Sequence, residues 1–434
     1  MHEQLQPMTA TPAQAVRGEL TIPGDKSISH RSIMLGSLAS GITRITNFLR
    51  GGDNFSTMNA FRAMGVQIDD DGSTITVQGV GLHGLKEPDN LLDCGNSGTT
   101  IRLMTGLLAG QSFFSVLTGD QYLRKRPMKR VSDPLRQMGA QIAGRNNGTL
   151  APLAITGSRL SGIRYESKIA SAQVKSALML AGLYADGETV ITEPTLSRDH
   201  SERMFRYFGA DVISNGTTVT VRSGQHFKAG EIIVPGDISS AAFFIVAALI
   251  VPGSELLIRN VGINPTRTGI LDILTAMGGN IELLNQRDAS GEPVADLLVR
   301  SSQLTGIEIG GDVVPRAIDE FPAISVAAAL AQGATTIKDA HELRVKETDR
   351  IKAMATNLRA IGAGQIDETD DGMVIQGVEQ LQGGSINSFG DHRIAMSLAV
   401  AALASRNPIQ IDDISCVATS FPDFFTLLHN VAVR

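Results

Sequence analysis

The 434-residue chain has no tryptophan, 4 tyrosines and only 2 cysteines. Cys94 and Cys416 make neither a disulfide framework nor a zinc-ligand spacing, so a reducing compartment is expected. Positive charge is not in excess either. The formal net charge of −6 is unlike the basic balance of a general nucleic-acid binder, though it leaves room for a local cationic pocket. No apolar run suits a bilayer: the longest, residues 241–251, falls short of the roughly 20 residues that a helical span needs. The opening stretch MHEQLQPMTATPAQ has neither the apolar core of a signal peptide nor an Arg-rich transit pattern. These absences lead to the expectation of a soluble, cytoplasmic protein that binds neither membrane nor nucleic acid. Apolar residues, by contrast, make up 42% against 19% charged, which excludes a disordered chain and supplies cores for two or three domains. The 45 glycines imply many tight turns.

One pattern recurs six times along the chain. A short strand leads into a polar turn, then a mostly apolar helix, a second strand, an amphipathic helix and a strand of alternating pattern. The first helices are expected to begin near Lys26, Gly98, Gln173, Ser239, Phe321 and Arg393. They are apolar on every side, as in AAFFIVAALIVPG, and so should be buried. Second helices close alike, in FRAMGVQI, LRQMGAQI, FRYFGADV and LTAMGGNI, with LRAIGAGQI one residue longer; each is a helix stopped by glycine before a strand. The alternation of helix and strand predicts an α/β fold. Six units divide most simply into three and three, with the break near residues 233–236. The strand before Pro23 is expected to pair with the C-terminal half.

The turns before the buried helices carry unusual residues: PGDKSISHR at 23–31, CGNSGTTIR at 94–102, ASAQVK at 170–175, IDEFP at 318–322 and GDHR at 390–393. A helix start offers free N–H groups and partial positive charge, which suit an anion. Ser, Thr, Asn and Asp there are ordinary caps. Capping does not account for Lys26, Arg31, Arg102 and Arg393, which the dipole disfavours, so a shared anion site is expected. YLRKRP at 122–127 and HELRVKETDR at 341–350 add cations at the openings of two second helices. Taken singly, the first reads as a solvated basic loop and the second as a salt-bridged helix face, with Lys346 and Glu347 four and three residues before Arg350. Asp319 is either a cap or, among so many cations, a base. His200 has no second His at ligand spacing, and the glycine clusters match neither the dinucleotide nor the triphosphate fingerprint, so no metal, NAD or ATP is inferred.

These residues also carry a family resemblance. GDKSISHR, GNSGTTIRL, KRPM, SAQVK, RDHSE, NPTR, IDEFP, RVKETDR and GDHRIAM stand in the order found in the 5-enolpyruvylshikimate-3-phosphate synthases, over residues 20–422. RDHSE, SAQVK and NPTR are similar to the second of the two bacterial classes. The resemblance implies a two-domain enolpyruvyl-transferase fold, an inside-out α/β barrel of six βαβαββ-like repeats, three per domain. One domain would span 22–235 and the other 1–21 plus 236–434, with the active site in the interdomain cleft. It implies transfer of the enolpyruvyl group of phosphoenolpyruvate to the 5-hydroxyl of shikimate 3-phosphate, without metal or organic cofactor, by a monomer. By resemblance Lys26, Ser27, Arg31, Ser171, Ala172, Gln173, Arg198, Asp319 and Lys346 hold shikimate 3-phosphate. Lys26, Gly98, Arg126, Gln173, Arg350 and Arg393 hold phosphoenolpyruvate, with Asn96 and Thr99 shaping its pocket. Asp319, Glu347 and Lys26 are the implied catalytic groups.

Two points qualify the match. Many relatives carry a Lys where this chain has Thr419, so one phosphoenolpyruvate contact is missing or comes from elsewhere, with Lys125 and Arg102 as unassigned stand-ins. Glyphosate-tolerant members of the second class carry Ala in place of Gly98, so the resemblance implies a glyphosate-sensitive enzyme. The related UDP-N-acetylglucosamine enolpyruvyl transferases differ in an early Lys-Asn, here Lys26-Ser27, and in a reactive Cys absent from the loop at 118–125. A clamp-like repeat scaffold would need a basic face of exposed helices, whereas the basic motifs here lie at helix starts.

Overall fold

The structure, a computed structural model, describes residues 5–434, so the first four residues of the stretch searched for a leader lie outside the described residues. Two compact units emerge. One is Gly24–Val234 with the hairpin tip Asp288–Glu292; the other takes the described residues up to Pro23, with Pro235–Arg287 and Pro293–Arg434.

In the first unit three helices, α1 (Lys26–Leu38), α2 (Gly98–Ala109) and α3 (Ala172–Gly182), are buried along nearly their whole length. In the second the same holds for α4 (Ile238–Ile250), α5 (Phe321–Ala329) and α6 (His392–Leu403). Each triad lies in a single apolar core. Five of the six begin at a side-chain cap. Asp25 accepts from the Ile28 N–H (2.8 Å), Ser97 from Thr100 (3.1 Å), Ser171 from Val174 (3.5 Å), Asp237 from Ser239 (2.8 Å) and Asp391 from Arg393 (2.9 Å). α5 lacks such a cap and carries Pro322 in its first turn instead. Three helices start one residue earlier than the sequence pattern suggests, because the cap residue, rather than the first apolar residue, sets the first turn.

Four of the sheets share one topology. A short strand runs parallel to a second, which pairs antiparallel with a third, itself antiparallel to a fourth; in one example Leu92–Asp93, Phe114–Thr118, Leu150–Thr156 and Gln141–Gly144 follow that order. In the sheet of the first repeat, the parallel edge strand is Glu231–Ile233, from the far end of the unit. The strand Ala15–Thr21 joins the second unit, parallel to Glu255–Gly262.

The glycines that close the second helices have a defined task. Gly65, Gly139, Gly209, Gly278 and Gly362 all have φ between 84° and 97°. In each case the next residue's N–H bonds a carbonyl five residues back, as Val66 does to Phe61 (3.1 Å) and Ala210 to Phe205 (2.9 Å). This is a Schellman stop, whose left-handed residue is best filled by glycine.

One buried polar chain links the first two repeats. Thr100 Oγ1 donates to Ser97 Oγ (2.7 Å), Thr57 lies 2.7 Å from Thr100, and His30 Nδ1 lies 2.7 Å from Thr57. The order of donors makes Thr57 the donor to Thr100 and places the imidazole proton on Nδ1. Nε2 of His30 is buried with no partner among the described residues. Burial, then the charges of Lys26 and Arg31, hold this imidazole well below its ordinary value of 6.5. The unfolded chain therefore takes up a proton near pH 6.5 that the folded chain refuses, so this stability is present above that pH and lost as pH falls below it. Against a His30→Gln variant, the wild-type advantage in urea unfolding should shrink by about 1.4 kcal/mol between pH 7.5 and 5.5. Parallel pH dependences would show that His30 titrates in the fold as it does in the unfolded chain, and an advantage that grows as pH falls would show that it is charged in the fold.

Candidate active site

In the unit built on Gly24–Val234, the starts of α1, α2 and α3 each contribute to a polar cluster. Lys26 opens α1, and its Nζ lies 2.5 Å from Asp53 Oδ2. Ser27 is half-buried beside it and gives its carbonyl to Arg31 Nη1 (3.0 Å). Arg31 itself is 5% exposed, donating from Nε to Ser201 Oγ (2.7 Å) and from Nη2 to Ser176 Oγ (2.8 Å). Burial lowers its pKa to about 10, against the pull of Glu202 and Asp25. Arg31 thus ties α1 to α3 and to the helix His200–Tyr207 with two of its donors, while a third stays within α1.

The start of α2 brings five of the expected residues together. Arg126 donates to the Asn96 side chain (3.1 Å), whose amide donates to Asp120 (2.7 Å). Gln173, at the second position of α3, donates to Thr99 Oγ1 (3.1 Å) and accepts from Arg102 Nη1 (2.5 Å). Gly98 lies under both guanidinium groups: a Cβ there would stand 3.1 Å from Nη1 of Arg102 and 3.1 Å from Nη1 of Arg126. Arg102 is therefore part of this cluster, one turn along α2 from Gly98, whereas Lys125 is exposed in the short turn Leu123–Lys125. Ser171 and Ala172 stand half-buried at the start of α3, and Arg198 lies in the loop before His200–Tyr207.

In the other unit the centre is Arg350, 2% exposed and the first residue of the helix Arg350–Ala360. Its Nε meets Asp391 Oδ2 (2.8 Å), its Nη2 meets Glu347 Oε2 (2.7 Å) and its Nη1 meets Asp319 Oδ1 (3.4 Å). Burial works against the charge, but Asp391, Glu347 and Asp319 outweigh it and raise the pKa above the usual arginine value. Lys346 Nζ is 3.3 Å from the same Asp319 oxygen. Arg393 is the second residue of α6, half-buried, its N–H bound to Asp391.

Two local readings of the sequence need correction. Lys346 and Glu347 do not share a helix face with Arg350: the segment His341–Val345 is a 3₁₀ turn, and the helix begins only at Arg350, capped by Asp349. Glu347 reaches Arg350 from outside the helix. Asp319 is no cap either; Glu320 holds that position, and its carboxylate is buried with Ser239 and, 3.6 Å away, Arg267 of the NPTR motif. Thr419, in the 3₁₀ turn Ser415–Thr419, spends its hydroxyl on the Cys416 carbonyl (2.7 Å). Sequence reasoning missed Asp53, Asp120 and Asp391, each visible in sequence only as an ordinary surface or cap carboxylate. Among the described residues, no group of three or more His, Cys, Asp or Glu could hold a metal ion, and no helix is long and apolar enough to cross a membrane.

Comparison with known proteins covers almost the whole chain. The profile of the family described as EPSP synthase (3-phosphoshikimate 1-carboxyvinyltransferase) matches residues 10–428. The chain is 68% identical to the 3-phosphoshikimate 1-carboxyvinyltransferase of Geobacter sulfurreducens, over 98% of this chain and 99% of that one. It is 66% identical to the enzyme of the same name from Geobacter metallireducens, over 99% and 100%. Among solved structures, the EPSP synthase of Acinetobacter baumannii superposes with a TM-score of 0.90 at 48% identity, covering 99% of both chains. The enolpyruvyl transferase NikO of Streptomyces tendae shares the fold, with a TM-score of 0.79 at 17% identity and coverage of 99% and 98%. With its buried cations gathered at helix starts and its length matched almost end to end, the chain belongs to the EPSP synthase family.

Proposed function

We propose that this protein transfers the enolpyruvyl group of phosphoenolpyruvate to the 5-hydroxyl of shikimate 3-phosphate and releases inorganic phosphate, a step of aromatic amino-acid biosynthesis. The observation that carries the reaction is the 68% identity over nearly the full length of a 3-phosphoshikimate 1-carboxyvinyltransferase. RDHSE, SAQVK and NPTR support membership of the second bacterial class. We take the chain to act as a cytoplasmic monomer on these two small molecules.

The assigned roles follow from chemistry at each position. Both substrates are phosphorylated carboxylates, and planar guanidinium groups bind such anions in pairs of hydrogen bonds. Arg126, Gln173, the Gly98 backbone and Lys26 are assigned to phosphoenolpyruvate, together with Arg350 and Arg393. Arg102, lying between Gly98 and Gln173, adds a further positive charge to this cluster. Ser27, Arg31, Ser171, Ala172, Gln173, Arg198 and Lys346, with Lys26, are assigned to shikimate 3-phosphate. Asp319 accepts the 5-hydroxyl proton as that oxygen attacks the central carbon of the enol. Glu347 gives a proton to the methylene, which becomes a methyl group. The tetrahedral adduct then loses phosphate, and a methyl proton leaves to restore the double bond. Holding both reactants in place turns a bimolecular encounter into a unimolecular step.

Purified protein should release phosphate when given phosphoenolpyruvate with shikimate 3-phosphate and none with UDP-N-acetylglucosamine. Asp319→Ala and Glu347→Gln should each lower kcat by at least about 100-fold, the usual worth of a placed acid or base. Phosphate release independent of shikimate 3-phosphate, or full activity in both variants, would refute the reading. Glyphosate should inhibit the enzyme in competition with phosphoenolpyruvate. The crowding of Arg102 and Arg126 by a Cβ in Gly98→Ala should weaken that inhibition by roughly tenfold or more. Equal inhibition of both proteins would remove Gly98 from the site.

A further inference from the structure

Behind the start of α3 lies a set of charges that the reaction does not use. Glu193, Lys175 and Glu202 have side chains 1%, 2% and 4% exposed. Lys175 Nζ is 2.9 Å from Glu193 Oε2 and 2.8 Å from Glu202 Oε1. Burial works against its charge, but the two carboxylates outweigh burial and raise its pKa. Buried ion pairs of this kind add little stability over apolar packing of the same volume. Their worth lies in what they orient.

Glu193 spends its oxygens on two separate backbone sites. Oε1 accepts the Ser171 N–H (2.9 Å), at the cap of α3. Oε2 accepts from Ser197 twice, from Oγ (2.8 Å) and from the backbone N–H (3.3 Å). Glu193 is itself anchored at the end of the strand Glu188–Thr192, its N–H on the Thr217 carbonyl (3.0 Å). Ser171 begins the run Ser171–Ala172–Gln173, and Ser197 precedes Arg198; these are the two stretches assigned to shikimate 3-phosphate. Lys175 also reaches the Ser197 carbonyl (3.4 Å), which holds the same loop from a second side.

We propose that Glu193 is a positioning residue for the phosphate end of shikimate 3-phosphate, holding the α3 start and the Arg198 loop in register, with Lys175 offsetting part of the negative charge that Glu193 and Glu202 would otherwise place behind a dianion. The proposal rests on the assignment of Ser171 and Arg198 to shikimate 3-phosphate, and takes the Ser171 hydroxyl and the Arg198 guanidinium as the groups that meet its phosphate. The carboxylate never touches substrate. It fixes the spacing between two loops that do, and the entropy of ordering them is met before the substrate arrives.

Glu193→Gln keeps shape and one acceptor but turns an N–H₂ toward donors at Ser197 or Ser171. Its KM for shikimate 3-phosphate should rise roughly tenfold, the scale of one lost charge-assisted hydrogen bond. The KM for phosphoenolpyruvate should stay within about twofold, and turnover of unphosphorylated shikimate, which lacks the group being positioned, should change no more than that. Ser197→Ala, which removes only one donor, should shift the same KM by a few-fold with the fold intact, and it carries the test if Glu193→Gln does not fold. An unchanged KM for shikimate 3-phosphate, or an equal loss with shikimate, overturns the proposal. Ser171→Ala and Arg198→Ala separate the two levels: if neither weakens shikimate 3-phosphate binding, the underlying assignment fails and the proposal with it. If both do and Glu193→Gln and Ser197→Ala do not, the positioning role alone is wrong.

Discussion

A cation buried near the start of a helix loses its hydration and meets the repulsion of the helix dipole, and neighbouring carboxylates can offset both. That constraint organises both units. Asp391 meets it in the most economical way. One oxygen caps α6 through the Arg393 N–H, and the other binds Arg350 Nε, so the carboxylate that starts a helix also neutralises a guanidinium that is 2% exposed. Lys26 has Asp53 at 2.5 Å, and Lys175 has Glu193 and Glu202. The counter-carboxylates come from other elements, so each cation also pins two pieces of chain together.

The repeated architecture makes this arrangement possible. Six helices apolar on every side can only sit inside, and their N-terminal turns are the places where a buried helix must still present unpaired N–H groups. Small residues at those turns, Gly98 above all, leave room for two arginines to approach the backbone, 3.1 Å from where a Cβ would stand. The Schellman stops at the second helices return the chain to a strand after a fixed length, so each unit delivers its helix starts in the same way.

Much of this was legible in the sequence. The buried helices were found to within one residue because the periodicity and caps are local signals. The gathering of Asn96, Gly98, Thr99, Arg126 and Gln173 was implied by the family resemblance that three short motifs carry, not by their spacing. What was not legible is long-range. Asp53 is 27 residues from Lys26, and Asp391 is 41 from Arg350, so neither pair leaves a local trace. The turn at His341–Val345 was misread because charge spacing mimics a helix face, whereas the chain there is held by Arg344 on the Asp370 carbonyl (2.8 Å). Arg102 is marked in the sequence as a cation at a helix start, but its partner Gln173, 71 residues away, is visible only in the structure.

The central claim is that the buried guanidinium at Arg350 is held by acidic neighbours in order to bind an anion, with its fork geometry and charge both in use. Calorimetry of phosphoenolpyruvate binding to wild type and Arg350→Lys, without shikimate 3-phosphate so that no turnover occurs, tests it directly. Keeping the charge but losing the fork should weaken phosphoenolpyruvate by about thirtyfold or more, while shikimate 3-phosphate alone binds within about threefold of wild type. Wild-type affinity for phosphoenolpyruvate in the folded variant would mean that Arg350 only staples Asp391, Glu347 and Asp319 together.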